Sequence, residues 1–231
     1  MYRGFYYGDI ISVLLVVIPL ILSLWASFNI KRTFAKYAKV KTARHITGDM
    51  AARAVLNNSG VTGVGIDQIP GNLSDNFNPR DNTIHLSQSV YGVDSIASVG
   101  VAAHEAGHAV QHAEEYAPMK WRSTLVPVAN IGSSVGFYIA ILGIFMSFRT
   151  LAYIGIALFA GFVLFELVTL PVELNASRRA VVALRQTNAL SDEEMKGAEK
   201  VLRAAALTYL VALASAIANL LRLVLMSKRR N

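Results

Sequence analysis

Four long stretches without charge constrain what this chain can fold into. Ile10 to Ile30 is 21 residues between Asp9 and Lys31, and Ser123 to Phe148 is 26 residues between Arg122 and Arg149. Thr150 to Val172 is interrupted only by Glu166, and Ala204 to Leu221 runs for 18 residues before Arg222 and a further apolar Leu223 to Met226. A helix of about 20 apolar residues crosses a hydrocarbon layer about 30 Å thick. The pattern predicts a mainly α, multi-pass membrane protein.

The placement of basic residues orients it. Only Arg3 precedes the first stretch, whereas Lys31, Arg32, Lys36, Lys39, Lys41 and Arg44 follow it. A cleaved signal peptide carries its positive charge ahead of the apolar run. The stretch therefore reads as a retained anchor with its basic end in the cytoplasm. The expected organisation is an anchor over 1–30, a cytoplasmic domain over 31–122, a transmembrane hairpin over 123–172 with Arg149 at its outer turn, a cytoplasmic helical segment over 173–203, and a fourth apolar helix with a basic tail over 204–231. If that last helix spans, Lys228, Arg229 and Arg230 lie outside, against the charge rule. Otherwise it packs on the cytoplasmic domain or lies in the interface.

Composition supports the membrane assignment. Charged residues are 16% of the chain and apolar residues 54%, where a soluble domain carries about a quarter charged residues. A soluble monomer and a disordered chain are both disfavoured. Cysteine is absent, so disulfides, thiolate metal sites and cysteine nucleophiles are excluded, and any metal must be held by His, Asp or Glu. Most of the net charge of +7 comes from residues 31–53, with seven basic groups and one acid, Asp49. Such a juxtamembrane run attracts anionic lipid. Residues 54–119 carry seven acids and only Arg80, so the one sizeable soluble region is acidic and nucleic-acid binding is not expected.

Within that region the periodicity predicts a helix over Thr42 to Asn57, a strand over Val61 to Ile69, a polar turn-rich segment over Asn72 to Asn82, a strand over Thr83 to Ser87, and a helix capped by Asp94 or Ser95 that runs to about Glu115. Inside this last helix stands His104-Glu105-Ala106-Gly107-His108, an HExxH pattern. Residues i and i+4 lie one turn apart on one helix face, so two imidazoles can reach one zinc ion. Glu105 lies about 100° around the helix from His104, where it can take a proton from a zinc-activated water. The bland alternative is two histidines that merely share a helical spacing. Gly107 in a helix interior costs about 1 kcal/mol relative to Ala, and close approach of another backbone is a reason for it.

A third ligand has to come from elsewhere. His112 stands at i+8 from His104, about 12 Å along the helix and about 80° around it, too far to share a tetrahedral ion. The HExxHxxGxxH arrangement does not occur, because position 111 is Gln and position 114 is Glu. Glu173, where the third apolar stretch ends, would complete a His₂Glu site with an open position for water. Pro171 can break or restart the helix before it, and Ala176 and Ala180 form a small-residue face. The alternative for Glu173 is an interfacial carboxylate paired with Arg178 or Arg179.

In order along the chain, Leu73-Ser74-Asp75-Asn76-Phe77-Asn78-Pro79-Arg80, Ile84-His85-Leu86-Ser87, HEAGHAVQ, TLPVELNASRRA and Leu202-Arg203-Ala204-Ala205-Ala206-Leu207-Thr208-Tyr209 resemble the YugP-type neutral zinc metallopeptidases of bacterial membranes. The resemblance covers nearly the whole chain. It implies one Zn²⁺ per chain at His104, His108 and Glu173, with Glu105 catalytic, a peptide or protein substrate, and a place in the bacterial cell membrane. The chain is also similar to HtpX-type membrane proteases, in which the later Glu is followed four residues on by an Asp. That position is Ser177 here, and Asn175 or Ser177 can take over the orienting role. A small zincin-like α+β domain on the cytoplasmic side is the implied fold. Such domains keep an edge strand beside the zinc helix, and Thr83, Ile84, His85, Leu86 and Ser87 are the expected strand for an extended substrate. Tyr209, Arg178 and Arg203 are candidate donors to an oxyanion. The expectation is a gluzincin-like membrane endopeptidase acting on membrane-associated or misfolded proteins. The alternative is a catalytically silent membrane scaffold with a structural or relic zinc, which would have no use for Glu105. A channel or transporter would spread polar residues along several spans, where here Glu166 stands almost alone.

Overall fold

The computed structural model describes residues 3–229, with side chains described from residue 10 to residue 228. The side chains of Arg3 and Arg229, and Arg230 as a whole, lie outside the described residues. Along the chain come α1 (Arg3–Tyr37), α2 (Gly48–Asn58), β1 (Gly65–Ile69), β2 (Asn76–Asn78), β3 (Thr83–Ser87), α3 (Ile96–Ala113), α4 (Ala117–Asn130), a π-helical turn (Ile131–Gly136), α5 (Phe137–Phe145), α6 (Arg149–Gln186) and α7 (Asp192–Arg229). Among the described residues, four helical stretches are long and apolar enough to cross a membrane: Ile10–Tyr37, Ala117–Phe145, Arg149–Gln186 and Asp192–Lys228. The chain divides into two compact units, one of residues 1–27, 120–170 and 208–231, the other of residues 28–119 and 171–207. Helices α1, α6 and α7 contribute to both.

The first unit is built from apolar helices. Ala140, Ile144, Ala152, Phe159 and Leu223 form its buried cluster. A Cβ at Gly136 would lie 2.9 Å from Leu158 Cβ, and Gly155 abuts the backbone of Ala140. Small residues at such crossings let helices approach where lipid removes the hydrophobic drive to associate. Ile10, Leu14, Ile21, Leu24 and Trp25 of α1 are all exposed, a surface suited to acyl chains and costly in water. The second apolar segment carries Pro127 inside α4 and a π turn after it. Proline has no N–H to give to the carbonyl four residues back.

The second unit holds a three-stranded sheet with the order β1-β3-β2. β1 is parallel to β3, with Ile66 opposite Ile84, and β2 is antiparallel to it, with Phe77 opposite Ile84. This corrects the expectation that Thr83, Ile84, His85, Leu86 and Ser87 form an edge strand. Ile84 and Leu86 are fully buried, and the most apolar strand takes the central position. Thr83, Ile84 and His85 are paired on both sides, and the Ser87 N–H donates to Asp75 Oδ1 at 2.7 Å. The edges are β1 and β2, and β2 arises inside the segment that the sequence marks as turn. His85 bonds Asp67 Oδ1 at 2.6 Å and Asp81 Oδ2 at 3.2 Å. Burial pulls its imidazole down, but these two carboxylates outweigh it and hold the ring above its ordinary value.

Leu56, Ile84, Leu86, Val99, Leu184 and Met195 belong to the core that surrounds α3. Of the two cap candidates Ser95 is the cap: its Oγ accepts from the Ser98 N–H at 3.1 Å, and Ser98 Oγ accepts from the Ser95 N–H at 3.1 Å. Asp94 instead bonds His45 at 2.9 Å. α2 begins at Gly48 and not at Thr42, because the Thr42 N–H donates to Asp94 O at 2.8 Å and Lys41 bridges to Ser95. The expected break at Pro171 is absent, since α6 runs from Arg149 to Gln186. Val172, Ala176 and Ala180 are completely buried, and that packing carries the helix past the missing hydrogen bond.

Candidate metal centre

α3 and the second half of α6 cross at a contact made of small residues. A Cβ on Gly107 would stand 2.5 Å from Ala176 O and 3.2 Å from Ala176 Cα. No residue but glycine fits that space without a shift. On either side of the contact, His104 and His108 point across to Glu173. His104 Nε2 lies 3.1 Å and His108 Nε2 3.3 Å from Glu173 Oε2. The three ligand atoms lie within 4.8 Å of one another, and the group can hold a metal ion. The imidazole rings meet edge to face with centroids 4.7 Å apart. Glu173 is 2% exposed and His108 7%. A carboxylate so deeply buried needs a cation or protonated partners close by.

The far nitrogen of each imidazole is also held. His104 Nδ1 is 3.1 Å from Ser177 Oγ, and His108 Nδ1 donates to Gln111 Oε1 at 3.0 Å. Gln111 is completely buried. Its amide nitrogen donates to Val172 O and to Asn175 Oδ1, both at 2.9 Å. Asn175 Oδ1 also accepts from Arg179 Nε at 2.7 Å, and Arg179 pairs with Glu114 at 2.7 Å. A chain of polar contacts thus leads from one imidazole to the surface. Fixing Nδ1 fixes the tautomer that leaves Nε2 for a metal. Burial pulls the His108 imidazole down, but its hydrogen bond to Glu173, the Glu105 and Glu173 charges and the Gln111 contact together raise it above its ordinary value. A metal takes the neutral imidazole, so it competes with that proton.

The donor set fits zinc. Two nitrogens and one carboxylate oxygen from two helices form a His₂Glu group, the donor set with which catalytic zinc sites keep a fourth position for water. Glu105 follows His104 on α3 and is 9% exposed. Its Oε2 accepts the Phe77 N–H at 3.0 Å, which ties this carboxylate to the edge strand β2.

Other candidates from the sequence lie elsewhere. Asn175 reaches His108 only through Gln111, while Ser177 meets His104 directly. Arg178 and Arg203 line a groove of about 340 Å³ with Leu174, Ser177 and Leu202. Tyr209 belongs to the part of α7 in the first unit. His112 is exposed and packs its ring on Phe77 at 5.6 Å. Sequence reasoning missed Gln111, which served there only to exclude the glycine of HExxHxxGxxH. Its position three residues after His108, on the same helix face, is the signal that could have found it.

A family model described as "Putative neutral zinc metallopeptidase" matches residues 12–228. "Putative membrane protease YugP" of Bacillus subtilis (strain 168) is 38% identical over 213 residues, which cover 92% of this chain and 95% of that protein. No solved structure matches the chain. The match to the family model takes in every residue of the cluster, and the chain belongs to the family that carries this description.

Proposed function

We propose that this protein is a membrane-embedded zinc endopeptidase whose ion is held by His104, His108 and Glu173, with Glu105 as the general base. The observation that carries the reading is the convergence of both Nε2 atoms on Glu173 Oε2, next to a buried carboxylate that no structural metal site requires. A zinc ion bound there supplies Lewis acidity and lowers the pKa of water to about 7. Glu105 accepts the proton of the attacking water on the carboxylate oxygen not engaged by Phe77 and passes it to the leaving amine. The Phe77 N–H keeps the carboxylate aimed. The outer edge of β2, where that N–H emerges, replaces β3 as the strand to which an extended substrate adds. Ser177 and Gln111 hold the imidazoles. Arg178, which shares a groove with Ser177, is assigned as a donor to the developing oxyanion.

The basic residues after the first apolar stretch support a site at the cytoplasmic face. Substrates are then peptide segments of membrane-associated or misfolded proteins. The test is zinc content and casein cleavage in detergent for the parent and for Glu105→Gln. The expected result is one zinc per chain in both, with activity lower by roughly 10²–10⁴-fold in the variant. Zinc in both with cleavage in neither would favour the silent scaffold.

A further inference from the structure

A second site lies apart from the metal centre, where the last turns of α1 meet the middle of α7. Arg32 and Lys36 on α1 and Lys200 and Arg203 on α7 line a pocket of about 500 Å³ together with Asn29 and Tyr37. No acid lines it. Glu199 approaches Arg203 at 3.5 Å from outside, and Lys36 leans over the Tyr37 ring at 5.4 Å. Four cations gathered on one cavity repel one another, and an anion relieves that repulsion.

The rest of the lining indicates which anion. Ala204 and Leu207 form an apolar part of the wall. Both helices change character at this level: α1 is uncharged from Ile10 to Ile30 and α7 from Ala204 to Leu221. The cations border these runs, Arg32 and Lys36 just after that of α1 and Lys200 and Arg203 just before that of α7, which is the depth at which lipid head groups lie. A free phosphate would use the cations and leave the apolar wall unfilled. A phospholipid uses both.

We propose that this pocket binds the phosphate head group of an anionic phospholipid, gripped by Arg32, Lys36, Lys200 and Arg203, with Asn29 and Tyr37 as neutral donors. The lipid clamps the end of α1 to α7. The inference is independent of any peptidase activity.

The test is native mass spectrometry of the full chain released from nanodiscs made of equal parts phosphatidylcholine and phosphatidylglycerol. Retention of phosphatidylglycerol over phosphatidylcholine is expected. The double variant Arg32→Gln/Lys200→Gln should lose that preference by about thirty-fold, at the usual worth of two cations near an anionic surface. The charge-matched control Arg80→Gln/Lys196→Gln, outside both the pocket and the juxtamembrane basic run, should keep it. If the double variant does not fold, by its thermal unfolding curve, Lys36→Gln and Lys200→Gln carry the same test at about fivefold each. Equal retention of the two lipids, an equal loss in the control, or unchanged retention in the pocket variants overturns the proposal. Displacement of the lipid by inorganic phosphate alone assigns the pocket to the free ion and overturns it as well.

Discussion

Ser177 and Gln111 divide one task between them. Each holds the Nδ1 side of one imidazole, at 3.1 Å and 3.0 Å, and so determines which nitrogen faces Glu173. Contacts of this kind change metal affinity by about 10–100-fold. Ser177→Ala and Gln111→Leu are each expected to weaken zinc binding within that range, measured by competition with a chromogenic chelator. Gln111→Leu should be the more damaging. It leaves Val172 O without its amide donor inside a buried site and removes one of the two donors to Asn175, and a buried polar group stripped of its partner costs about 1–3 kcal/mol. Affinity unchanged in both variants would mean that the imidazoles are oriented by packing alone. The histidine pair was legible in the sequence because residues i and i+4 share one helix face. Gln111 was not, since a glutamine one turn further on gains meaning only when Asn175 and Val172 are seen against it.

At the scale of elements, the site is the crossing of α3 and α6. Glycine at 107 permits it, because the backbone of Ala176 occupies the place of a side chain. Gly107→Ala is expected to destabilise the second unit by about 1–3 kcal/mol, the usual cost of overpacking, and to lower zinc content by parting the histidines from Glu173. Gly100 on the same helix is the control. A Cβ there would meet Ala198 at 3.7–3.8 Å, an ordinary contact, and Gly100→Ala should be neutral or mildly stabilising, since alanine favours a helix by about 1 kcal/mol. Thermal unfolding with and without chelator distinguishes the two. The strands were harder to read. Alternation in Thr83 to Ser87 reveals a strand but not its neighbours, and the three residues of β2 sit among turn formers. Pairing with β3 and the bond from Phe77 to Glu105 make them a strand, and both partners are distant in sequence.

For the whole molecule, the absence of cysteine offers a direct test of topology. Ser59 and Thr150 are both exposed. If the second unit faces the cytoplasm, a membrane-impermeant maleimide should label a Thr150→Cys variant in intact cells and a Ser59→Cys variant only after lysis. The opposite pattern would invert the orientation inferred from Lys31 to Arg44. The sequence by itself determined the four apolar helices, because twenty uncharged residues have a low-energy place only in lipid, and it determined the histidine pair, because helical geometry is local. Tertiary structure alone decided which strand lies at the sheet edge, which polar side chains steady the imidazoles, and where cations of α1 and α7 gather. Each of those depends on contacts between residues far apart in the chain, and local patterning does not encode which distant partner will arrive.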